Sequence, residues 1–213
     1  MLMAASGSFL SLFVLIHLAG NSTALLGHAT FLAYTDHLHS LGVLLFFMEV
    51  LLLTAFCIHV FLALQLFFEN RKARPQPYAV VKGRGGETLA AQTMIYSGTV
   101  ILLFLAVHLQ NFLFISPEHS AADRLRDILG NPTLAVVYLF GALAVGLHLS
   151  HGLWSLCQTL GLDHPGYTRT LNKKAAILGL TLGLLLALIV LVALFYPGFL
   201  LEQPLTRTLS HAP

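Results

Sequence analysis

The side chains in this sequence best suited to chemistry are histidines set in apolar text. Residues 6–18 read SGSFLSLFVLIHL and residues 97–109 read SGTVILLFLAVHL. Both fit SG-x5-F-x3-HL, which places His17 and His108 at the same offset within long apolar runs. Two further apolar runs carry His59 and His148. An ionisable side chain in such a run is costly in lipid and is by default a functional hypothesis. Neutral imidazole is a common metal ligand. Four runs with one deep histidine each therefore imply two bis-histidine metal centres. Haem b is the natural metal group for this setting, because histidine is a usual axial ligand of haem iron. Zinc fits less well: its structural sites take four ligands, typically including cysteine or carboxylate, whereas each pair here offers two histidines. The chain has no C-x-x-C-H, so a haem would not be attached in the c-type manner.

The elements that must position these histidines are membrane helices. The chain has 213 residues, of which 57% are hydrophobic and 9% charged, with a mean hydropathy of +0.82. A soluble domain usually has about a quarter charged residues, so the expected class is an all-α integral membrane protein, a single transmembrane domain over 1–213. Five apolar runs exceed the ~20 residues needed to cross a bilayer, at about 3–26, 41–68, 89–115, 133–160 and 174–199. The first four are expected to form a haem-binding bundle. The first run lacks the positively charged start of a signal peptide and is read as a retained helix. The period-2 alternation of a β-barrel is absent. Cys57 and Cys157 are read as buried small apolar residues. No nucleic-acid partner is expected.

Orientation follows from Lys and Arg. The 69–88 connection holds Arg71, Lys72, Arg74, Lys82 and Arg84, and the 161–174 connection holds Arg169, Lys173 and Lys174. The opposite side has Arg124, Arg126 and Arg207. The positive-inside rule then puts the two basic connections and the N-terminus in the cytoplasm and the C-terminus outside. Spans one and three run outward, with His17 and His108 late in them. Spans two and four run inward, with His59 and His148 late in them. The four thus sort into an outer pair, His17 with His108, and an inner pair, His59 with His148, as a four-helix bundle would build such sites. His151 adjoins His148 and is the alternative inner ligand, or a group that hydrogen-bonds a haem propionate. His28, His37, His39, His119, His164 and His211 are read as loop or tail residues exposed to solvent.

The Ser-Gly steps fit this scheme. Ser6 and Ser97 each precede their histidine by 11 residues, which at ~100° and ~1.5 Å per residue returns to nearly the same face about 16 Å away. Small residues therefore face the interior at the other histidine level, where they leave space for a large planar group. Close helix packing through small residues is the plainer reading of the same steps.

On these motifs the chain resembles the single-chain, five-helix, dihaem cytochrome b membrane anchor of succinate dehydrogenase and fumarate reductase, respiratory complex II. The resemblance runs over nearly the full length. Its carriers are SG-x5-F-x3-HLAGN around His17, His59 followed by FFENRKARPQPY, TMIYSG-x9-HLQNF around His108, and HLSHGLWSLCQTLGLDHP around His148. It implies axial ligation of a distal haem b by His17 and His108 and of a proximal haem b by His59 and His148. It favours His148 over His151. Propionate contacts at the proximal level are expected among Ser6, Gln92, Gln158, Arg71 and Lys173. Gln92 stands where family members often have a basic residue.

The resemblance further implies electron transfer between a flavoprotein and an iron–sulfur subunit on the cytoplasmic side and a quinone in the inner membrane, menaquinone by analogy. The complex can form higher oligomers. The chain has no dinucleotide-binding fingerprint and no four-cysteine cluster, so it does not itself oxidise succinate or reduce fumarate. The basic connections are candidate docking surfaces. Glu49 is the only carboxylate well inside an apolar run, ten residues before His59 and so at the outer level. It is the candidate proton-transfer or quinone-binding group, with Asn21, His28, His37 and His39 as weaker ones. The alternatives are a dihaem cytochrome of another electron-transfer complex, and a metal or proton transporter.

Overall fold

A computed structural model of the chain describes residues 1–73, 93–113 and 120–196. Among these residues the protein is all helical. Helix α1 (Leu2–Ser22) continues into a 3-10 turn (Thr23–Leu26), followed by α2 (His28–Ser40), α3 (Val43–Ala73), α4 (Met94–Leu113), α5 (Ala121–Leu129), α6 (Pro132–Thr159) and α7 (Thr168–Phe195). Five of these, α1 with its 3-10 turn, α3, α4, α6 and α7, are long and apolar enough to cross a membrane. The five predicted spans are therefore present as helices. Residues 89–92, 114–115 and 197–199 of the predicted spans lie outside the described residues.

Two boundaries differ from expectation. Helix α3 runs on to Ala73, because Gln65 Nε2 donates to Glu69 (2.8 Å) and Arg71 lies 5.7 Å from the centre of the Phe67 ring. These i,i+4 pairs extend a helix beyond its apolar text. Helix α7 begins at Thr168, where the Oγ1 hydroxyl donates to the His164 carbonyl and to Asp163.

Two short helices were not expected. His28, His37 and His39, read as loop residues, lie in α2, and His28 is buried. A break at Gly27 (φ 109°) separates α2 from the 3-10 turn, a conformation that glycine adopts without penalty. Helix α5 starts at Ser120, whose Oγ accepts from the Asp123 N–H at 3.1 Å. It buries Ala122, Leu125, Ile128 and Leu129 against Ala24, Phe31, Ala135, Tyr138, Val190 and Ala193. Both helices are too short to cross a bilayer, and together they cover one end of the longer helices.

Close packing is concentrated between α6 and α7. Lipid tails are as apolar as leucine, so helices in a membrane associate through backbones that approach closely at small residues. Gly179-x-x-x-Gly183 of α7 faces Ala142, Gly146 and Ser150 of α6, with the Gly183 Cβ position 2.6 Å from Gly146 Cα. Helix α4 lies on α6, and α3 lies on α1, which also touches α6 and α7. Helix α3 stands apart: none of its 31 residues is buried.

Candidate metal centres

The fold brings the four histidines into two pairs. His17 of α1 and His108 of α4 have ring centres 5.8 Å apart with planes at 81°. His59 of α3 and His148 of α6 have ring centres 6.3 Å apart with planes at 72°. These are the pairs expected from depth. An imidazole centre lies about 1 Å from its nitrogens and a metal–imidazole bond is about 2 Å, so two imidazoles on opposite sides of one metal place their centres ~6 Å apart. Both pairs match that spacing. Among the described residues no third metal-ligating side chain joins either pair.

The His17–His108 pair is enclosed by aromatic rings. Phe13 and Phe104, one turn before their histidines in the repeated motif, lie 5.3 and 5.6 Å from them. Phe112 and Tyr138 lie 5.1 and 5.8 Å from His108. Phe104 stands edge-on to Tyr138 at 5.2 Å and fills the space left by the absent side chain of Gly141. The Tyr138 hydroxyl accepts from Asn111 Nδ2 at 3.2 Å, and the Asn111 carbonyl accepts from Arg124 Nε at 2.7 Å. His108 Nδ1 is buried with no hydrogen-bond partner among the described residues. The i,i+4 spacing of Phe13 with His17 and of Phe104, His108 and Phe112 hinted at this enclosure in the sequence; Tyr138 gave no sign.

The His59–His148 pair is held by hydroxyls. Ser6 Oγ lies 3.1 Å from His59 Nδ1, and Ser97 Oγ lies 3.2 Å from His148 Nδ1. Both serines are buried. The glycine after each leaves room for the approach. A Cβ at Gly7 would stand 3.3 Å from His59 Cε1, and one at Gly98 would stand 3.4 Å from His148 Cε1. The Ser-Gly steps thus sit at the opposite histidine level, as their 11-residue offset predicts, and they touch the imidazoles themselves.

The other candidates are dispersed. Arg71, Lys173 and Gln158 are exposed at the ends of α3, α7 and α6, and Gln92 lies outside the described residues, as do Arg74, Lys82, Arg84, His119, Arg207 and His211. Glu49 is exposed on α3. The ion pairs among the described residues join Arg126 to Asp123 and Asp127 and do not include it. Helix α3 buries none of its residues, Glu49 included. Cys57, expected to be buried, is exposed for the same reason, while Cys157 is half-buried and both are free thiols. Asn21 Nδ2 donates to the His17 carbonyl at 2.8 Å. His37, His39 and His164 are exposed. His151 is half-buried, its Nδ1 without a partner among the described residues.

No protein-family model matches the chain, and no curated protein matches it in sequence.

Proposed function

We propose that this chain is the dihaem b membrane anchor of a succinate:quinone oxidoreductase or quinol:fumarate reductase. The observation that carries the reading is the pair of imidazole pairs, with ring centres 5.8 and 6.3 Å apart, close enough for each pair to share one metal. His17 with His108 would hold one haem b, and His59 with His148 the other. Bound haem supplies a one-electron carrier at each level. The chain's own residues orient the ligands through Ser6 and Ser97, exclude water from one level through Phe13, Phe104, Phe112 and Tyr138, and link the levels along α1 and α4. With ~1.5 Å per residue, Ser6 and His17 set the two levels about 16 Å apart.

In this reading the protein lies in the cytoplasmic membrane with the N-terminus inside and the C-terminus outside. Arg71, Lys72, Lys173 and Lys174 stand exposed at the helix ends nearest the His59–His148 level. They are the docking surface for the flavoprotein and iron–sulfur subunits, and they also suit anionic lipid. Glu49 faces away from the bundle, the side from which an apolar quinone such as menaquinone arrives through lipid. It serves there as the proton-exchanging group. Glu49→Gln is expected to lower quinone turnover by ~10²-fold, the lower end for general acid–base catalysis, with haem content unchanged. Full retention of turnover would remove Glu49 from the mechanism.

The test of the reading is a haem-to-protein ratio with a reduced-minus-oxidised spectrum on the purified chain. Two b-type haems are expected. Replacing either histidine of one pair by Ala should leave one haem, at the other level. A folded chain without haem would overturn the reading. A dihaem cytochrome of another electron-transfer complex shares the same ligands; co-purification with a flavoprotein and an iron–sulfur subunit separates the two.

A further inference from the structure

His151 stands near the His59–His148 pair but belongs to neither pair. At ~100° per residue it lies ~60° round α6 from His148, and Gly152 lies ~40° to the other side. Both are about one turn nearer the end of α6 that leads into the basic 161–174 connection. The packed faces of α6 are elsewhere: Leu149 joins Leu18 and Leu182, and Ser150 stands against Gly179. His151 Nδ1 is buried and has no hydrogen-bond partner among the described residues. Burying such an atom unpaired costs free energy. Gly152 differs from the glycines earlier in the helix. Phe104 fills the place of a side chain at Gly141, and Gly183 does so at Gly146, whereas no described atom lies within 4 Å of the Cβ position of Gly152. One turn beyond His148, then, α6 presents open space with an unpaired nitrogen at its margin.

We propose that His151 anchors the inner haem by donating its Nδ1–H to a haem propionate, with Gly152 leaving room for the carboxylate edge of the ring. The inference rests on the haem reading above. A carboxylate only accepts hydrogen bonds, so it selects the imidazole tautomer with the proton on Nδ1. A hydrogen bond to a charged acceptor is roughly twice as strong as one between neutral groups, and it satisfies the buried nitrogen. It also sets the rotation of the ring about the His59–His148 axis, which two axial ligands alone leave free. The propionate edge then lies on the side of Arg169, Lys173 and Lys174, whose charge suits it. A quinone carbonyl is the rival acceptor for the same N–H; it is neutral, and nothing ties it to the ligands of the pair.

The experiment follows haem loss from the purified full chain to an excess of apomyoglobin. His17→Ala, which should keep a haem at the inner level alone, isolates that centre. The chain is loaded with haem or with haem dimethyl ester, whose propionates are capped and uncharged. The ester should leave the inner centre about tenfold faster than haem, the order expected for a lost hydrogen bond to a charged group. Adding His151→Leu should speed the loss of haem by about tenfold and should leave the ester rate unchanged. Adding His151→Gln, which retains an N–H, should keep both rates close to those of the unsubstituted position. In the His59→Ala background, which keeps the outer haem, His151→Leu should have no effect. If His151→Leu takes up no haem, His151→Met, also without a donor, replaces it. The proposal is overturned if haem and its ester leave the inner centre at the same rate, if the substitution leaves the haem rate unchanged, or if it speeds both forms equally, as loss of packing or of a quinone contact would. A wild-type chain lacking two b-type haems overturns the haem reading instead.

Discussion

A methyl group on residue 7 would meet the His59 ring at Cε1, 3.3 Å away, tighter than ordinary van der Waals contact. Gly7→Ala is therefore expected to tilt the imidazole, and Gly7→Val to displace it. In the haem reading proposed above, the readout is the spectrum of the centre at that level, which should broaden or be lost while the His17–His108 centre stays intact. Equal loss of both centres would mean general unfolding and would contradict this assignment. Sequence spacing alone revealed the histidines, because a repeated offset in apolar text survives any uncertainty about packing. The hydroxyl contacts were beyond its reach. Ser6 and His59 are 53 residues apart, and whether their side chains meet depends on the rotation of α1 against α3. The same holds for Glu49, whose depth follows from counting residues while its facing does not.

At the scale of elements, the α6–α7 contact and the cap of α5 make separate predictions. The Gly183 Cβ position lies 2.9 Å from the Ala142 carbonyl as well as close to Gly146. Gly183→Leu should force the helices apart at a cost of ~1–3 kcal/mol or more, as overpacking does; unfolding in detergent of graded denaturing strength measures it. At the start of α5, the Ser120 hydroxyl donates to Asp123 Oδ2 at 2.7 Å and holds this carboxyl below its ordinary value, with Arg126 adding to the effect. A carboxyl lowered on folding contributes stability that is fully present above its unfolded value, near 3.8, and is lost as pH falls through its folded value. Protection of α5 amides from hydrogen exchange should therefore decline below about pH 4 in wild type. In Asp123→Asn it should vary less with pH. The five long helices were legible because a bilayer demands a minimum apolar length. Helices α2 and α5 were not, since no such length rule governs them; the signals for α5 were the Ser120–Asp123 cap and the spacing of Ala122, Leu125, Ile128 and Leu129.

Taken as a whole, the molecule has a firm part and a loosely held one. Helices α6 and α7 are locked through glycines, whereas α3 buries no residue and reaches α6 through the His59–His148 pair. A ligand that bridges that pair and binds only the docked arrangement stabilises the docking of α3 by the same free energy. Spin labels at Cys57 and at Ile177→Cys, with Cys157→Ser, should give a narrow distance distribution in haem-loaded protein and a broad one without haem. Identical distributions would show that α3 is fixed by protein contacts alone.

The same arrangement has an internal symmetry. Helix α1 with α3 and helix α4 with α6 are one hairpin written twice, each giving a ligand to both levels and a serine to its own partner strand of chain, at separations of 53 and 51 residues. In the proposed topology the first helices of the two hairpins run in the same direction, which would set the axis relating the halves along the membrane normal. Two copies of a single hairpin meeting about such an axis would already complete both histidine pairs, because a twofold interface presents the same patch from each side. Helix α7, which packs closely on α6, has no counterpart in this repeat.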